Sequence, residues 1–261
     1  MFNYTMQMFS LLFLCTMISI ISLNANGLRN QNKIQSLFTL FNEYKYDIIC
    51  LQETFWDDNF ISYVKTQWSG KLFVSNCTEL NRRGVAVLLK KNIDVNVIFQ
   101  EGDMDGRLLH LKIDVVDCII DIFNVYAPND IRERKAFFQM LNSYVTPGCN
   151  NYIIGDWNMY SNKYLDACRT SSMRNDSSRI DYDDLLSNLN LIDIYRHVYP
   201  DKKEFTWRRR VGNVLQQSRL DRFLISSNML NYCKDTYVFD TSLSDHSIIY
   251  LRCDFSGVEI G

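Results

Sequence analysis

Three prolines in 261 residues leave no proline-rich linker, and the ten glycines form no Gly/Ser-rich hinge. No block of like charges interrupts the chain, and no segment repeats or falls to low complexity. These absences exclude a string of modules and leave one large domain with a substantial core. Charge of one sign is missing too: 28 Lys and Arg against 30 Asp and Glu give a net −2. The bulk positive field of a nucleic-acid coat protein is therefore absent. That leaves enzymes acting on nucleic acid open, because a basic rim around an acidic site sums to near zero. The eight cysteines contain no C-x-x-C pair, and Cys50, Cys118, Cys233 and Cys253 lie in apolar runs. This argues against a disulfide framework or a zinc site and fits a reduced, intracellular compartment.

The amino terminus has no charge before Arg29. Residues 9–23 are strongly apolar, yet they lack the positive n-region and cleavage site of a signal peptide and are short for a membrane span. Ile18–Leu23 reads as the first core strand. Residues 1–17 read as an apolar extension without assigned role, which keeps a secretory or membrane route open as the lesser alternative. The domain is expected over 18–255, with a tail at 256–261.

The chain is organised around Tyr46–Thr54, where a short apolar run ends in Gln52 and Glu53. Such a run reads as a strand buried on both faces, whose last residues emerge where core meets solvent. Before it, a turn rich in Asn and Gly at 22–29 leads to a helix over Lys33–Tyr44. After it comes a polar and aromatic loop, then strands at Lys71–Ser75, Gly84–Leu89, Ile93–Phe99, Leu108–Val115 and Cys118–Val125. Ile93, Val95, Val97 and Phe99 alternate cleanly and predict one buried face. Helices are expected at Ile131–Val145, with Phe137, Met140, Leu141 and Tyr144 inward, and at Ile180–Leu189. The pattern is that of an α/β chain, a four-layer sandwich of two packed, mostly antiparallel β-sheets flanked by helices.

Tyr152–Asn158 is another apolar run ending in polar residues, and Asn24, Asn26, Glu53, Tyr126, Asp156, Asn158, Asp221, Asp245 and His246 all stand at or near such ends. A carboxylate binds a hard cation such as Mg²⁺. An aspartate takes the proton of an attacking water, while His and Asn stabilise charge on a phosphoryl oxygen. Together they suit metal-assisted phosphodiester hydrolysis.

Six ordered motifs carry a resemblance: Asn24-x-Asn26-Gly27, Leu51-Gln52-Glu53-Thr54, Asn124 to Asn129, Gly155-Asp156-x-Asn158, Ser218-Arg219-Leu220-Asp221 and Ser244-Asp245-His246. The chain resembles the endonuclease/exonuclease/phosphatase superfamily, which includes exonuclease III, apurinic/apyrimidinic (AP) endonucleases and deoxyribonuclease I. Within it, Ser22–Leu28, the Gln52-Glu53-Thr54 form of the acidic motif, Arg82–Leu89, Asn124–Asn129 and Phe205-Thr206-Trp207 before Ser218–Asp221 make the chain look most like the endonuclease domain of non-LTR, LINE-type retrotransposons. The resemblance implies Mg²⁺, with Mn²⁺ as a substitute, held by Glu53 with Asn26 and Asp245 beside it. It implies Asp156 as activator of the water and Asn158 as its orienter. His246 would contact the scissile phosphate, with Asp221 fixing its tautomer, and Asn24 and Tyr126 would touch phosphate oxygens. Arg208, Arg209 and Arg210, with Thr206, would face DNA on a basic hairpin turned at Gly212-Asn213, and Arg222 would add a phosphate contact. DNA is the implied partner, a reverse-transcriptase domain would lie outside this chain, and no stable membrane partner is expected. A monomer in the nucleus is the corresponding expectation. A repair enzyme like AP endonucleases and exonuclease III, or a silent relic that only binds DNA or protein, remains the alternative.

Overall fold

The computed structural model describes residues 17–77, 79, 82–168 and 176–256, so residues 1–16 of the expected extension and the tail from 257 lie outside the described residues, while Met17, read as extension, opens the first strand. The first half runs β1 (Met17–Asn24), α1 (Gln31–Glu43), β2 (Ile48–Gln52), α2 (Asp58–Gln67), β3 (Lys71–Ser75), β4 (Val85–Leu89), β5 (Asn96–Gly102), β6 (Leu108–Val115) and β7 (Cys118–Tyr126). It continues with α3 (Ile131–Tyr144), β8 (Asn151–Asp156), β9 (Ala167–Cys168), α4 (Ser178–Asn188), β10 (Leu191–Asp193) and α5 (Ile194–Val198). The last strands are β11 (Trp207–Val211), β12 (Val214–Ser218), β13 (Asp221–Ser226), β14 (Cys233–Phe239) and β15 (Ile248–Asp254).

Twelve of these strands build two six-stranded mixed sheets, ordered β14-β15-β1-β2-β4-β3 and β10-β13-β8-β7-β6-β5, and the rest form a small third sheet, β11-β12-β9. Within the first, β1 and β2 are parallel, and within the second, β7 and β8 are parallel. The period-two alternation of strand side chains then sorts the core into layers. Ile20, Ile48 and Cys50 face Leu111, Ile122 and Ile154 between the sheets. Ile21, Ile49 and Leu51 face outward under Ile34, Leu37, Phe38 and Phe41 of α1. On the other side, Phe123, Val125 and Ile153 meet Phe138 and Leu141 of α3 and Tyr182 and Leu185 of α4. The result is helix, sheet, sheet, helix, as the sequence pattern predicts. Among the described residues, no helix is long and apolar enough to cross a membrane.

Three elements differ from expectation. The segment after Glu53, read as a loop, forms α2, started by Asp57 accepting the Phe60 amide at 2.8 Å and held by Val64 against the first helical layer. The strand expected at Ile93–Phe99 begins at Asn96 and runs to Gly102. A register irregularity between Val97 and Phe99 breaks the alternation, so Ile98 and Phe99 both turn to solvent. On α3 the inward residues are Phe137, Phe138 and Leu141, whereas Met140 and Tyr144 stay exposed.

A buried ion cluster ties the segment before β9 to the start of β13. Asp166, fully buried, accepts Arg219 Nε at 2.8 Å and Arg196 Nη2 at 2.6 Å, and Arg219 Nη2 also donates to Asp193 at 2.7 Å. Burial alone would raise the Asp166 pKa, but Arg219 and Arg222 outweigh it and hold the carboxyl well below the usual range. Arg222, expected to reach phosphate, is buried here at 3.5 Å from Asp193 and cannot face DNA. Removing one partner of a buried pair leaves an uncompensated charge, so Asp166→Asn is expected to cost about 3–5 kcal/mol at pH 7. Because the folded pKa lies below the unfolded one, that contribution is present above the unfolded value and lost as pH falls towards the folded one. Urea melts of both proteins from pH 7 down to pH 3 should show the gap narrowing in acid.

Candidate active site

The site sits where strands from both sheets end together. β1 stops at Asn24, β2 at Gln52 and β8 at Asp156, and the chain leaves each through a left-handed residue: Asn26 (φ 45°), Glu53 (φ 51°) and Asn158 (φ 49°). Asparagine tolerates that conformation, but glutamate does so at a cost, and such strain gathers at functional positions. Neighbours hold these ends in place. Gly27 N donates to Glu53 O at 2.8 Å, and Ala25 N to Gln52 O at 2.9 Å. Gly155 is required just before Asp156, since its φ is 143° and a Cβ there would stand 2.0 Å from the Val125 carbonyl oxygen.

One amide joins the sheets. Asn24 Nδ2 donates to Glu53 Oε1 at 3.1 Å and to Asp156 Oδ2 at 2.8 Å. Beneath it, Gln52 Nε2 donates to Asn124 Oδ1 at 2.7 Å, and Asn124 Nδ2 returns bonds to the carbonyls of Leu51 and Ala86. Every member of that buried network has a partner, which is the condition for polar groups at a core boundary.

Asp156 and Asp221 lie directly opposite each other on β8 and β13, both buried. His246 joins them, its Nδ1 2.9 Å from Asp221 Oδ2 and its Nε2 4.0 Å from Asp156 Oδ2. Burial and the Asp221 charge raise the Asp156 pKa, against the opposing pull of His246. For His246, burial would lower the pKa, but the hydrogen-bonded Asp221 carboxylate, helped by Asp156 and Asp245, raises it to about 9. Asp221 does not pair with Arg219 or Arg222, because both arginines are spent on Asp166 and Asp193.

Asp245 completes the rim, its Oδ1 accepting Asn26 Nδ2 at 2.9 Å and its Oδ2 accepting Trp207 Nε1 at 3.1 Å. Glu53, Asn24, Asn26, Asp156, Asn158, Asp245 and His246 all line one cavity of about 660 Å³, with Arg208, Arg209 and Arg210 along its wall. Tyr126 lies behind it, buried, its phenol raised in pKa by burial, by the charges of Glu53 and Asp156, and by a hydrogen bond to Glu53. Asn158 Nδ2 donates to the Ala127 carbonyl at 2.8 Å, and its own amide donates to Asp156 Oδ1 at 2.9 Å.

Thr206 is a correction to the DNA-facing set. It is fully buried, and its hydroxyl accepts the amides of Leu220 at 2.9 Å and Asp221 at 3.0 Å. It props up the strand that carries Asp221. The expected hairpin is present as β11 and β12, turned at Gly212-Asn213 with Gly212 at φ 59°. It is stitched to the loop that carries His246 through Arg208 N donating to Asp245 O at 3.1 Å and Ser247 N to Thr206 O. The Arg208 side chain is engaged by Asp240 and Ser247, while Arg209 and Arg210 are exposed. Two residues were not singled out from sequence. Ser244 donates to the Asn24 carbonyl at 2.7 Å and accepts the His246 amide at 3.1 Å, and Trp207 steers Asp245. Ser244 stands inside the Ser244-Asp245-His246 motif and Trp207 inside Phe205-Thr206-Trp207, and these motifs could have flagged them.

The profile of the Endonuclease/Exonuclease/phosphatase family matches residues 21–246, from β1 to the histidine of the site. The chain belongs to that family. It is 30% identical over 239 residues to the Transposon TX1 uncharacterized 149 kDa protein of Xenopus laevis, a match covering 90% of this chain and 18% of that protein. It is 25% identical over 256 residues to an exodeoxyribonuclease of Bacillus subtilis (strain 168), covering 90% of this chain and 98% of that one. Among solved structures, the Xenopus laevis APE2 catalytic domain superposes with a TM-score of 0.75 at 19% identity, covering 91% of this chain and 92% of that one. This chain thus spans about a fifth of the transposon protein and nearly all of the bacterial one. Membership places it among endonucleases, exonucleases and phosphatases, enzymes that hydrolyse phosphate esters.

Two sets of groups could hold a divalent cation. Asp156, Asp221 and His246 present atoms within 4.8 Å of one another. Glu53, Asp245 and the Asn26 amide oxygen supply the hard oxygen donors that Mg²⁺ or Mn²⁺ takes. Both sets reach the cavity and both carry internal hydrogen bonds, His246 Nδ1 to Asp221 in the first and Asn26 and Trp207 to Asp245 in the second; the second offers oxygen donors alone, the kind a hard cation prefers. Replacing Asp221 by Asn should leave DNA affinity near that of the parent but lower kcat about 100-fold or more, as expected for loss of a group that orients a catalytic imidazole. Steady-state nicking kinetics with binding measured in parallel will check this.

Proposed function

We propose that this chain is a Mg²⁺-dependent DNA endonuclease of the retrotransposon type, nicking DNA to leave a 3′-hydroxyl and a 5′-phosphate. The observation that carries it is the single cavity in which Glu53, Asp156, Asp245 and His246, drawn from both sheets, face a wall of arginines. Glu53, Asn26 and Asp245 would hold the cation, which when bound neutralises charge on the scissile phosphate. Asp156, whose raised pKa makes it a stronger proton acceptor than an ordinary aspartate, takes the proton of the attacking water. Asn158 fixes one Asp156 oxygen through its amide, and Asn24 fixes the other, so the acceptor's orientation is set before substrate arrives. The water oxygen bonds to phosphorus, the bond to the 3′-oxygen breaks, and that oxygen takes up a proton from solvent. His246, held by Asp221 with Nε2 directed towards Asp156, stabilises the charge that grows on the phosphoryl oxygens. Asn24 and Tyr126 complete the polar wall on the Glu53 side. The 30% identity to the transposon protein favours the retroelement assignment; a reverse-transcriptase partner outside this chain, action as a monomer and a nuclear location are parts of the same proposal.

The repair reading is favoured by one observation, the near full-length match to an exodeoxyribonuclease. Supercoiled plasmid and an abasic oligonucleotide, each with Mg²⁺ or EDTA, separate the two. Metal-dependent nicking of plasmid without abasic preference is expected. Strong preference for the abasic site would transfer the protein to repair, and binding without cleavage of either would support the silent relic. Glu53→Ala and His246→Ala should each abolish nicking.

The arginine wall makes a second prediction. Arg209 and Arg210, exposed on the hairpin, suit phosphates or a narrow minor groove. The double change to alanine should weaken binding of uncleaved DNA and reduce the slope of log affinity against log salt by about two. Arg208→Ala should act differently, lowering kcat through the loop it ties to Asp240 and Ser247.

A further inference from the structure

Lys33 stands in the first turn of α1, where a cation gains nothing from the helix dipole. Its ammonium turns back on the chain and donates to Ala25 O at 2.5 Å, Gly27 O at 3.0 Å and Asn26 O at 3.3 Å. An ammonium has three donors, and here all of them point at the carbonyls of one turn. That turn contains two successive left-handed residues, Asn26 at φ 45° and Gly27 at φ 83°. It also carries the side chains that bind the site's acids, Asn24 to Glu53 and Asp156, and Asn26 to Asp245. Lys33 is half-buried; burial lowers its pKa, while the charges of Asp245 and Glu53 pull it back up. The ammonium therefore lies in the field of the two carboxylates on the cation side of the site.

The obvious role for a lysine beside a nuclease site is a phosphate contact, but the geometry spends its donors elsewhere. We propose that Lys33 is a positioning residue: its ammonium clamps the Ala25–Gly27 turn so that Asn24 and Asn26 hold Glu53, Asp156 and Asp245 in their working arrangement. This rests on the nuclease reading of the cavity. Charge-assisted bonds to three carbonyls make the clamp stiff, and the compact ammonium, unlike a planar guanidinium, can reach all three from one point.

Lys33→Met keeps side-chain length and helix propensity while removing the charge, and Lys33→Arg keeps the charge while removing the compact donor. Each is compared with the parent for kcat, for binding of uncleaved DNA in EDTA across a salt series, and for amide hydrogen exchange at Gly27. Both variants are expected to lose about 100-fold in kcat, the scale of a small misplacement of reacting groups. DNA affinity and the salt slope should stay at parental values, and Gly27, whose amide bonds the Glu53 carbonyl, should exchange faster. A salt slope reduced by about one in Lys33→Met, with kcat kept and Lys33→Arg restoring binding, would overturn the proposal in favour of a phosphate contact. Unchanged kcat with a lowered melting temperature would overturn it in favour of packing. If the parent itself cuts no DNA, the nuclease reading fails separately and the exchange data decide: faster exchange at Gly27 upholds the clamp, and unchanged exchange refutes it.

Discussion

The arrangement depends on one side-chain amide. Asn24 places its two N–H groups on two carboxylates, Glu53 from the first sheet and Asp156 from the second. Without a donor between them, two acids brought together at a sheet junction would repel. With it, each keeps a fixed orientation, and the two sheets are registered at the point where chemistry is expected. The carbonyl of the same residue accepts Ser244, whose oxygen in turn accepts the amide of His246, so the loop that carries the histidine is indexed to the same post.

From that post the site extends by positioning rather than by bulk. Asp221 reaches His246 because β13 runs antiparallel to β8 and sets Asp221 opposite Asp156. Thr206 fixes the amide of Asp221, and Trp207 fixes the carboxylate of Asp245, so the hairpin that would touch DNA shares its backbone with the loop that carries the histidine. Unpaired buried charges cost several kcal/mol each, on the order of the whole stability of a domain when summed. Here the cost is met by hydrogen bonds at Asp156 and by a separate arginine cluster that keeps Asp166 and Asp193 away from the site.

Much of this was legible in the chain. Apolar runs ending in acids marked β2 and β8, because parallel strands buried on both faces leave no polar alternation to confuse them. Gly212-Asn213 between two short runs marked the hairpin turn. What escaped was tertiary. The helix α2 has one fully buried residue, Val64, so its hydrophobic period is too weak to see. Phe99 follows the alternation in sequence but lies past an irregularity that only the pairing with β6 creates. Thr206 and Arg222 read as DNA contacts because each neighbours basic or catalytic residues, yet the β-bridge and the ion cluster turn both inward. Lys33 looked like any lysine on a wet helix face; its significance lies in three carbonyls six to eight residues earlier.

The central claim is that Glu53, with Asn26 and Asp245, is the cation side of the cavity and that Asp156, Asp221 and His246 form the proton-handling side. Anomalous diffraction from crystals soaked in Mn²⁺ tests it most directly. A peak within bonding distance of Glu53, with the Asp221–His246 hydrogen bond intact, is the predicted result. A peak bound among Asp156, Asp221 and His246, with Glu53 left free, would contradict the account.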